Sequence, residues 1–166
     1  MDQLAAQLAR DAAILGGLDC LLVRTANPDG LKHRSVTNSN GIELQHAFPP
    51  AVRFNLKESK EIAEVVFLAR LLRQFQPQRV IIIGQTDDSN GGIVYSHGAK
   101  DIARPFADVV DLPDYSLARQ DQAGSFEQFV ADSKVEIISI RLPASTTVET
   151  GWSRFGIWLP SLLASE

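Results

Sequence analysis

The feature that most constrains the fold is an amphipathic helix pattern that leads directly into a continuous β-branched run. Between residues 57 and 75, apolar side chains recur at helical spacing and mark one face, made of Ile62, Val65, Val66, Ala69, Leu72 and Phe75. Pro77 ends this helix, because proline lacks the backbone N–H that would continue it. Residues 80–83 are Val-Ile-Ile-Ile, a pattern typical of a strand buried on both faces. The pair is the repeating unit of an α/β protein.

The other segments continue this alternation of helices and strands. Residues 3–15 place Leu4, Leu8, Ala12 and Leu15 at helical spacing, and Gly16 and Gly17 provide a stop. Further predicted elements are a buried strand at 18–23, short helices at 99–107 and 124–131, a central strand at 135–142, and a terminal helix at 151–163 that faces inward with Trp152, Phe155, Leu159 and Leu162 and bends at Pro160. Strands alternating with helices predict an α/β layered sandwich.

Length and composition exclude several classes of function. The 166 residues, 45% hydrophobic and 22% charged, predict one average domain over residues 1–166. A net charge of −4 without a basic stripe argues against nucleic-acid binding. Every apolar run is far shorter than the roughly 20 residues of a membrane span, and the start MDQLAAQLARD lacks the pattern of a signal peptide. The lone Cys20 excludes an intrachain disulfide and a paired-cysteine zinc site. We therefore expect a cytoplasmic protein that binds neither nucleic acid nor membranes.

Three polar stretches punctuate the predicted elements. Residues 27–30, NPDG, favour a turn, because proline presets φ and glycine allows a positive φ. Residues 38–41, NSNG, favour a second turn in which asparagine side chains bond the local backbone. Residues 86–92, TDDSNGG, have the composition of a metal or phosphate loop, but they lack the lysine of a P-loop and the spacing of a calcium loop. We expect this third stretch to be a hairpin-like turn.

The segment at residues 25–49, TANPDGLKHRSVTNSNGIELQHAFP, resembles one that zinc metallocarboxypeptidases and their murein-peptide amidase relatives write as NPDG…NxNGVDLNRNFP. Three later pieces match the same family in order, namely QPQRVIIIGQ at 76–85, GSFEQFVAD at 124–132 and EIISIRLP at 136–143. The resemblance implies a three-layer α/β/α sandwich with a mixed, mostly parallel sheet. It covers residues 3–165 but only the C-terminal two-thirds of the family domain, so the family's N-terminal strands have no counterpart here.

The resemblance also implies that the zinc site of the family is missing. The family's first two ligands come from an earlier His-x-x-Glu pair, whereas none of His33, His46 and His97 has a glutamate three residues later. The family's third ligand, a histidine, falls on Gly84 and Gln85, and an amide is a poor zinc ligand. We therefore expect no zinc cofactor.

The remaining catalytic positions of the family also carry other residues. The catalytic glutamate falls on Arg141, whose guanidinium cannot accept a proton. The substrate-clamping Asn-Arg pair falls on Gln45 and His46. An arginine that polarises the scissile carbonyl falls on Val36, with Arg34 two residues away. The resemblance thus predicts no catalytic residue in this chain.

Five residues remain as candidates for a ligand site in the cleft that holds the active site in the family, namely Arg34, Gln45, His46, Gln85 and Arg141. Gln45 and His46 also fit an ordinary surface loop. The charge of Arg141 needs a partner if it lies in a central strand, and that partner is either a carboxylate (Glu43, Asp87, Glu127 or Glu149) or an anionic ligand. Both interpretations of Arg141 stay open at this point.

The combined pattern predicts a catalytically inactive carboxypeptidase-like domain with a binding or protein-interaction role. Its ligand would be a peptide-like or anionic small molecule. Because the family's N-terminal strands are missing, an unpaired sheet edge would invite pairing, which predicts a homodimer or a companion subunit. The alternative is a residual or split metallocarboxypeptidase or amidase acting on peptides.

Three weaker alternatives complete the set. The chain could be a structural remnant without a ligand. The three histidines could form a new metal site, although none of them belongs to a His-x-x-Glu pair. Finally, His97 could act with Ser96 or Ser125 in a hydrolase, although neither serine lies in a Gly-x-Ser-x-Gly elbow.

Overall fold

The computed structural model describes residues 2–50, 62–117 and 124–164, and these ranges contain seven helices and four strands. The helices are α1 (Asp2–Arg10), α2 (Pro28–His33), α3 (Ala63–Phe75), α4 (Lys100–Val110), α5 (Phe126–Asp132), α6 (Val148–Arg154) and α7 (Leu159–Ala164). The strands are β1 (Arg79–Thr86), β2 (Gly92–Tyr95), β3 (Asp114–Ser116) and β4 (Glu136–Pro143). Short 3₁₀ turns occupy Ala12–Leu15, Leu44–His46, His97–Ala99 and Gly156–Trp158.

The four strands form one mixed sheet in the order β1-β4-β2-β3. β2 runs parallel to β3, with Ile93 opposite Asp114. β2 runs antiparallel to β4, with Gly92 opposite Arg141. The mixed sheet with its helices confirms the predicted α/β class. The sequence did not predict β2 and β3, because runs of four and three residues are too short to show a period.

The chain divides into two compact units. The sheet unit comprises Met1–Arg24, Ile82–Ser116 and Ile138–Glu166, and the turn unit comprises Thr25–Ile81 and Leu117–Ile137. The prediction of a single domain over residues 1–166 stays a prediction.

The core of the sheet unit forms where α4 packs on β2 and β3 and where α7 packs on α4 and on the turn Ala12–Leu15. The buried apolar side chains of this unit lie on α1, α4, α7, β2 and β4 and at the end of α6, and they include Leu4, Leu8, Ile93, Val94, Phe106, Val110, Ile138, Ile140, Phe155, Leu159 and Leu162. α1 ends before the 3₁₀ turn, and Gly16 closes that turn in the left-handed region at φ 58°. The glycine stop predicted after residue 15 is therefore confirmed.

The core of the turn unit is built around an aromatic cluster. The Phe48 ring lies 4.9 Å from the Phe126 ring and 5.6 Å from the Phe129 ring, centroid to centroid. α3 contributes Val65, Leu68 and Ala69 to the buried set. This helix ends with Gln76 in the left-handed region, directly before Pro77, as the sequence predicts. Residues 57–61 of the predicted helix lie outside the described residues.

The predicted strand at residues 18–23 is wrong. The segment has no strand assignment, and Leu18 and Leu21 are 43% and 45% exposed. A strand requires a hydrogen-bonded neighbour, and within the described residues the strand order contains no strand from this segment. The apolar run therefore did not suffice to predict a strand.

The two predicted central strands had different outcomes. Residues 137–140 of β4 are all buried, as expected of a strand with neighbours on both sides. By contrast, residues 80–82 are only half-buried and Ile83 is 38% exposed, so the predicted burial of β1 on both faces is wrong. The reason is topological, because β1 stands at one end of the strand order.

The predicted terminal helix at 151–163 is divided into α6, a 3₁₀ turn and α7. The break falls at the 3₁₀ turn Gly156–Trp158 and not at Pro160, which lies in the first turn of α7. Gly156 is buried against the Trp152 ring, which would overlap a Cβ there. Phe155, Leu159 and Leu162 face inward as predicted, whereas Trp152 is half-buried.

Two of the predicted turns also differ from the structure. Residues 27–30 are not a simple turn but the start of α2. Residues 86–92 do not form a hairpin, because the strands they join, β1 and β2, are separated in the sheet by β4. Within the described residues, no helix is both long enough and apolar enough to cross a membrane.

Candidate functional site

The first matching motif, at residues 27–30, builds the start of α2. The side-chain oxygen of Asn27 accepts a hydrogen bond from the backbone N–H of Gly30 at 2.9 Å, which caps the helix. Asn27 Nδ2 also donates to the carbonyl of Val36 at 3.3 Å. Gly30 is buried, and a Cβ there would lie 2.5 Å from the carbonyl oxygen of Ser35. These residues therefore hold the local backbone.

Arg34, the first candidate ligand residue, closes the same helix. It adopts a left-handed conformation at φ 54°, and its backbone N–H donates to the carbonyl of Gly30. Its side chain is exposed, and the neighbouring Val36 is 70% exposed. The structure thus places the Arg34 side chain in solvent on the turn unit.

The second matching motif, at residues 38–41, is held by one buried asparagine. Asn38 is only 5% exposed, and its Oδ1 accepts from the backbone N–H groups of Asn40 and Ile42, both at 3.0 Å. Its Nδ2 donates to the carboxylate of Glu64 on α3, at 3.2 and 3.3 Å from the two oxygens. The predicted turn is confirmed, and the Asn38 amide ties it to α3.

Gln45 and His46 lie on the 3₁₀ turn Leu44–His46 of the turn unit, with both side chains exposed. Gln45 Nε2 lies 3.3 Å from His46 Nε2. The backbone beneath them is fixed, because Phe48 N–H donates to the Gly124 carbonyl at 2.8 Å. A Cβ on Gly124, whose φ is +86°, would lie 2.8 Å from the carbonyl oxygen of His46. Gln45 and His46 are thus exposed polar residues on a turn whose backbone is held by the hydrogen bond from Phe48 to Gly124.

Gly84 and Gln85, on β1 of the sheet unit, occupy the position that the resemblance gives to the third zinc ligand. Gly84 is exposed, and a Cβ there would meet no atom within 4 Å. Gln85 Nε2 donates to the carbonyl of Thr146 at 2.9 Å, which ties β1 to the loop after β4. The Gln85 amide therefore has a structural partner within its own unit.

Arg141 is half-buried in β4 and lies opposite Gly92 across the ladder. Gly91 lies close to the backbone of β4 here, since a Cβ on Gly91 would overlap the Arg141 carbonyl oxygen. Gly91 is buried at a positive φ of 64°. The predicted acidic partners divide between the units, with Asp87 and Glu149 in the sheet unit and Glu43 and Glu127 in the turn unit. A salt bridge to one of them stays a prediction.

The residues present do not fit the zinc ion that the resemblance implies. His33 and His46 belong to the turn unit and His97 to the sheet unit. His33 Nδ1 lies 2.9 Å from the carbonyl oxygen of Asp29, within its own helix. Across the described ranges, no three His, Cys, Asp or Glu side chains come together in a group that could hold a metal ion. The candidate serine Ser125 caps α5 by accepting from the backbone N–H of Gln128 at 3.0 Å.

A polar network in the sheet unit was not foreseen from the sequence. The Tyr95 hydroxyl donates to Asp114 Oδ2 at 2.9 Å, and Arg104 Nε lies 3.4 Å from the same oxygen. Desolvation and then the hydrogen bond to Asp114 raise the pKa of Tyr95. The sequence could not reveal this network, because Tyr95 and Asp114 are brought together only by the parallel pairing of β2 and β3.

Two further ionisable groups are shifted from their ordinary values. Burial raises the pKa of the Cys20 thiol, so this half-buried cysteine favours its neutral form. A hydrogen bond from its own backbone N–H, and then one from the Thr147 side chain, lower the pKa of Glu149. Neither group lies among the five candidate ligand residues.

Comparison with solved structures identifies the fold. Murein-tripeptide amidase MpaA from Escherichia coli O157 matches with a TM-score of 0.67 at 21% identity, over 85% of this chain and 66% of that one. A candidate metallopeptidase from Shewanella denitrificans OS217 matches with a TM-score of 0.70 at 13% identity, over 92% of this chain and 62% of its own. Another candidate metallopeptidase, from Shewanella amazonensis SB2B, matches with a TM-score of 0.51 at 15% identity, over 84% of this chain and 57% of that one.

These similarities establish a zinc carboxypeptidase-like fold, as the resemblance predicts. The chain spans less than two thirds of the length of each of the three structures. No protein-family model and no curated protein sequence matches the chain. At 13–21% identity the structural similarity defines the fold and not the activity.

Proposed function

We propose that this chain is a carboxypeptidase-like domain that binds a ligand or a protein partner and carries out no zinc peptidase chemistry. The observation that carries the proposal is the state of the third-ligand position. Gly84 there has no side chain, and the Gln85 amide donates to the Thr146 carbonyl at 2.9 Å. Neither residue supplies an imidazole, carboxylate or thiolate, the groups that bind zinc in proteins.

Arg141 supports the same proposal on chemical grounds. A general base must accept a proton, and a guanidinium stays protonated at every physiological pH. A fixed positive charge also disfavours a divalent cation nearby, because like charges repel most strongly where solvent screening is reduced. Arg141 is half-buried, so screening of its charge by water is incomplete. The position of Arg141, which holds the general base in the family, is therefore better suited to binding an anion.

The ligand that suits these residues is peptide-like or anionic. Arginine binds carboxylates with paired, charge-assisted hydrogen bonds, and a peptide with a free C-terminus presents such a group. Arg141 and Gln85 are the candidates on the sheet unit. Arg34, Gln45 and His46 are the candidates on the turn unit, and all three side chains are exposed. The name of the murein-tripeptide amidase makes short peptides the first ligands to screen.

Metal content is the primary test. The purified protein is incubated with zinc, excess metal is removed, and the bound zinc is measured by mass spectrometry. We expect far less than one zinc per chain. One tightly held zinc per chain would overturn the proposal, and alanine substitutions of His33, His46 and His97 in turn would then identify the ligands.

Ligand binding is tested separately by calorimetry with tripeptides that carry a free C-terminal carboxylate. We expect Arg141→Gln to weaken binding about ten-fold, as the loss of one charge-assisted contact should. Arg70→Gln is the matched control, because Arg70 is an exposed arginine on α3 and not one of the five candidates. Equal affinities of both variants and the unmodified protein would exclude Arg141 from the ligand site.

A second candidate function is a residual or split metallocarboxypeptidase or amidase acting on peptides. The fold similarity to the murein-tripeptide amidase favours it, since the same scaffold supports that chemistry there. It predicts zinc-dependent release of amino acids from short peptides, alone or after addition of a second chain that supplies the missing ligands. Peptide hydrolysis that is abolished by a chelator would establish this alternative.

A further inference from the structure

The two edges of the sheet are protected to different degrees. At one edge, β3 has only three residues and carries Asp114, which pairs with Arg104. Short edge strands with charged side chains resist pairing with other chains. At the other edge, β1 has eight residues, and residues 80–86 contain neither a charge nor a proline. β1 therefore lacks, over residues 80–86, the charged residues and prolines that commonly block an edge.

The exposed part of β1 is also sterically open. Ile83, Gly84 and Gln85 are exposed, and nothing lies within 4 Å of a Cβ built on Gly84. Within the described residues, the strand order places only β4 beside β1. An edge strand leaves alternate backbone N–H and C=O groups without a ladder partner, and these groups are a template for a further strand.

We propose that β1 forms an antiparallel pair with β1 of a second copy of this chain, which joins the two sheets across a two-fold axis. This extends the proposed interaction role by assigning its surface and its partner, and it can fail while the absence of zinc chemistry still holds. A two-fold interface uses the same patch on both subunits and closes after two copies.

The residues of β1 suit self-pairing better than pairing with a charged partner. Full antiparallel overlap of the strand sets Arg79 opposite Thr86, Val80 opposite Gln85, Ile81 opposite Gly84 and Ile82 opposite Ile83. Apolar residues thus meet at the axis, and no like charges face each other. Arg79, the one charged residue of β1, pairs with Glu136 of its own chain at 3.0 Å. The edge therefore requires no complementary charge from its partner.

Sedimentation equilibrium of the full chain over a range of concentrations tests the proposal. We expect a reversible species of twice the 18.2 kDa chain mass. Gly84→Lys should raise the dimer dissociation constant about ten-fold or more, because it adds a charge to the open edge. Val109→Lys is the matched control, since Val109 is 54% exposed on α4, which packs on β2 and β3, toward the opposite end of the strand order. We expect this control to dimerise like the unmodified protein.

Amide hydrogen exchange locates the interface without relying on a variant that must fold. Protection of β1 should rise with protein concentration, while protection of β3 should not. A strictly monomeric protein at high concentration would overturn the proposal, and so would a dimer whose β1 amides exchange at the same rate as in the monomer. Protection of β1 that is independent of concentration in a monomer would assign the edge to another segment and would also overturn it. Zinc content is measured on the same samples, so failure of dimerisation stays separate from failure of the proposed function.

Discussion

The turn unit and the sheet unit match the carboxypeptidase-like pattern in different ways. In the turn unit, the matching residues Asn27 and Asn38 make backbone hydrogen bonds that define α2 and the turn after it. The sheet unit contains most of β1 and β4, but the positions where the family places a ligand and a base carry Gly84, Gln85 and Arg141. The turn unit keeps motif side chains that have a structural use, although the family's substrate-clamp pair is replaced there too. The sheet unit keeps the strands but not the ligand and the base.

The difference shows that a family motif contains two kinds of information. Residues that cap helices or sit in left-handed turns are required by the backbone, whatever chemistry the protein performs. Ligands and bases are required only by the reaction. Loss of the second kind leaves folding intact, so a chain can be placed in a fold by its turns while its activity stays open. The predictions below compare residues that hold the backbone with residues that do not, within and outside the matching segments.

The largest effect is expected at Gly91 in the sheet unit. Gly91→Ala places a Cβ at a positive φ and 2.4 Å from the Arg141 carbonyl oxygen. The backbone must shift, which should cost about 3 to 4 kcal/mol of unfolding free energy. Urea denaturation measures this loss.

The control for Gly91 is Gly84→Ala. A Cβ at Gly84 meets no atom within 4 Å, so the free energy of unfolding should change by about 0.5 kcal/mol or less. Equal losses at both glycines would break the comparison, because Gly84 would then have a structural use like that of the turn residues.

The next largest effect is expected at Asn38 in the turn unit. Asn38→Ala removes the acceptor for two backbone N–H groups and a hydrogen bond to the Glu64 carboxylate. The expected loss is about 2 to 3 kcal/mol, because the site is buried and the freed groups are poorly rehydrated. Asn40→Ala is the control, since the Asn40 side chain is exposed and only its backbone N–H takes part. A negligible loss at Asn38 would contradict a structural use of the motif.

The sequence predicted those elements whose signals are local and long. α3, β4 and the glycine stop after residue 15 were predicted from periodicity and turn chemistry, and the structure confirms them. The strand at 18–23 and the full burial of β1 were wrong, because both depend on which strands lie beside a segment. Neighbouring strands are a property of topology, and a single apolar run does not reveal them.

The candidate site could be predicted only as a set of positions. The sequence identified Gly84, Gln85 and Arg141 through the resemblance, but it could not show that the Gln85 amide donates to Thr146, which lies far along the chain. It likewise gave no signal for the network of Tyr95, Asp114 and Arg104. Contacts between distant residues require the register of the sheet, and that register follows from packing and not from composition.

That network provides a test of a polar group in the sheet unit that belongs to no motif. Tyr95→Phe removes the hydroxyl that donates to Asp114, and about 1 kcal/mol of stability should be lost at pH 7. The folded-state pKa of Tyr95 is raised by desolvation and by Asp114. Its contribution is therefore fully present below the unfolded pKa of about 10, and it is lost as pH rises through the folded pKa.

Urea denaturation between neutral and alkaline pH checks this prediction. The unmodified protein should lose stability above pH 10, and Tyr95→Phe should lack that part of the loss. Tyr115→Phe serves as the control, because Tyr115 is an exposed tyrosine on the adjoining strand. If Tyr95→Phe kept the full alkaline loss, another group would be responsible for it.

The smallest effect is expected at Glu149, in the first turn of α6. Its own backbone N–H, and to a lesser degree the Thr147 side chain, donate to the carboxylate and lower its pKa. Because the folded-state pKa is depressed, the stabilising contribution is present above the unfolded pKa and is lost as pH falls through the folded one. Carbon-detected NMR titration should show the lowered pKa directly. Thr147→Ala should return it only part of the way, since the backbone donor remains, and Thr147→Ser should leave it low. If Thr147→Ala left the pKa of Glu149 unchanged, the backbone N–H alone would lower that pKa. The polar contact at the start of α6 would then depend on backbone geometry and not on a specific side chain, unlike the contacts that the Asn27 and Asn38 side chains make with the backbone in the turn unit.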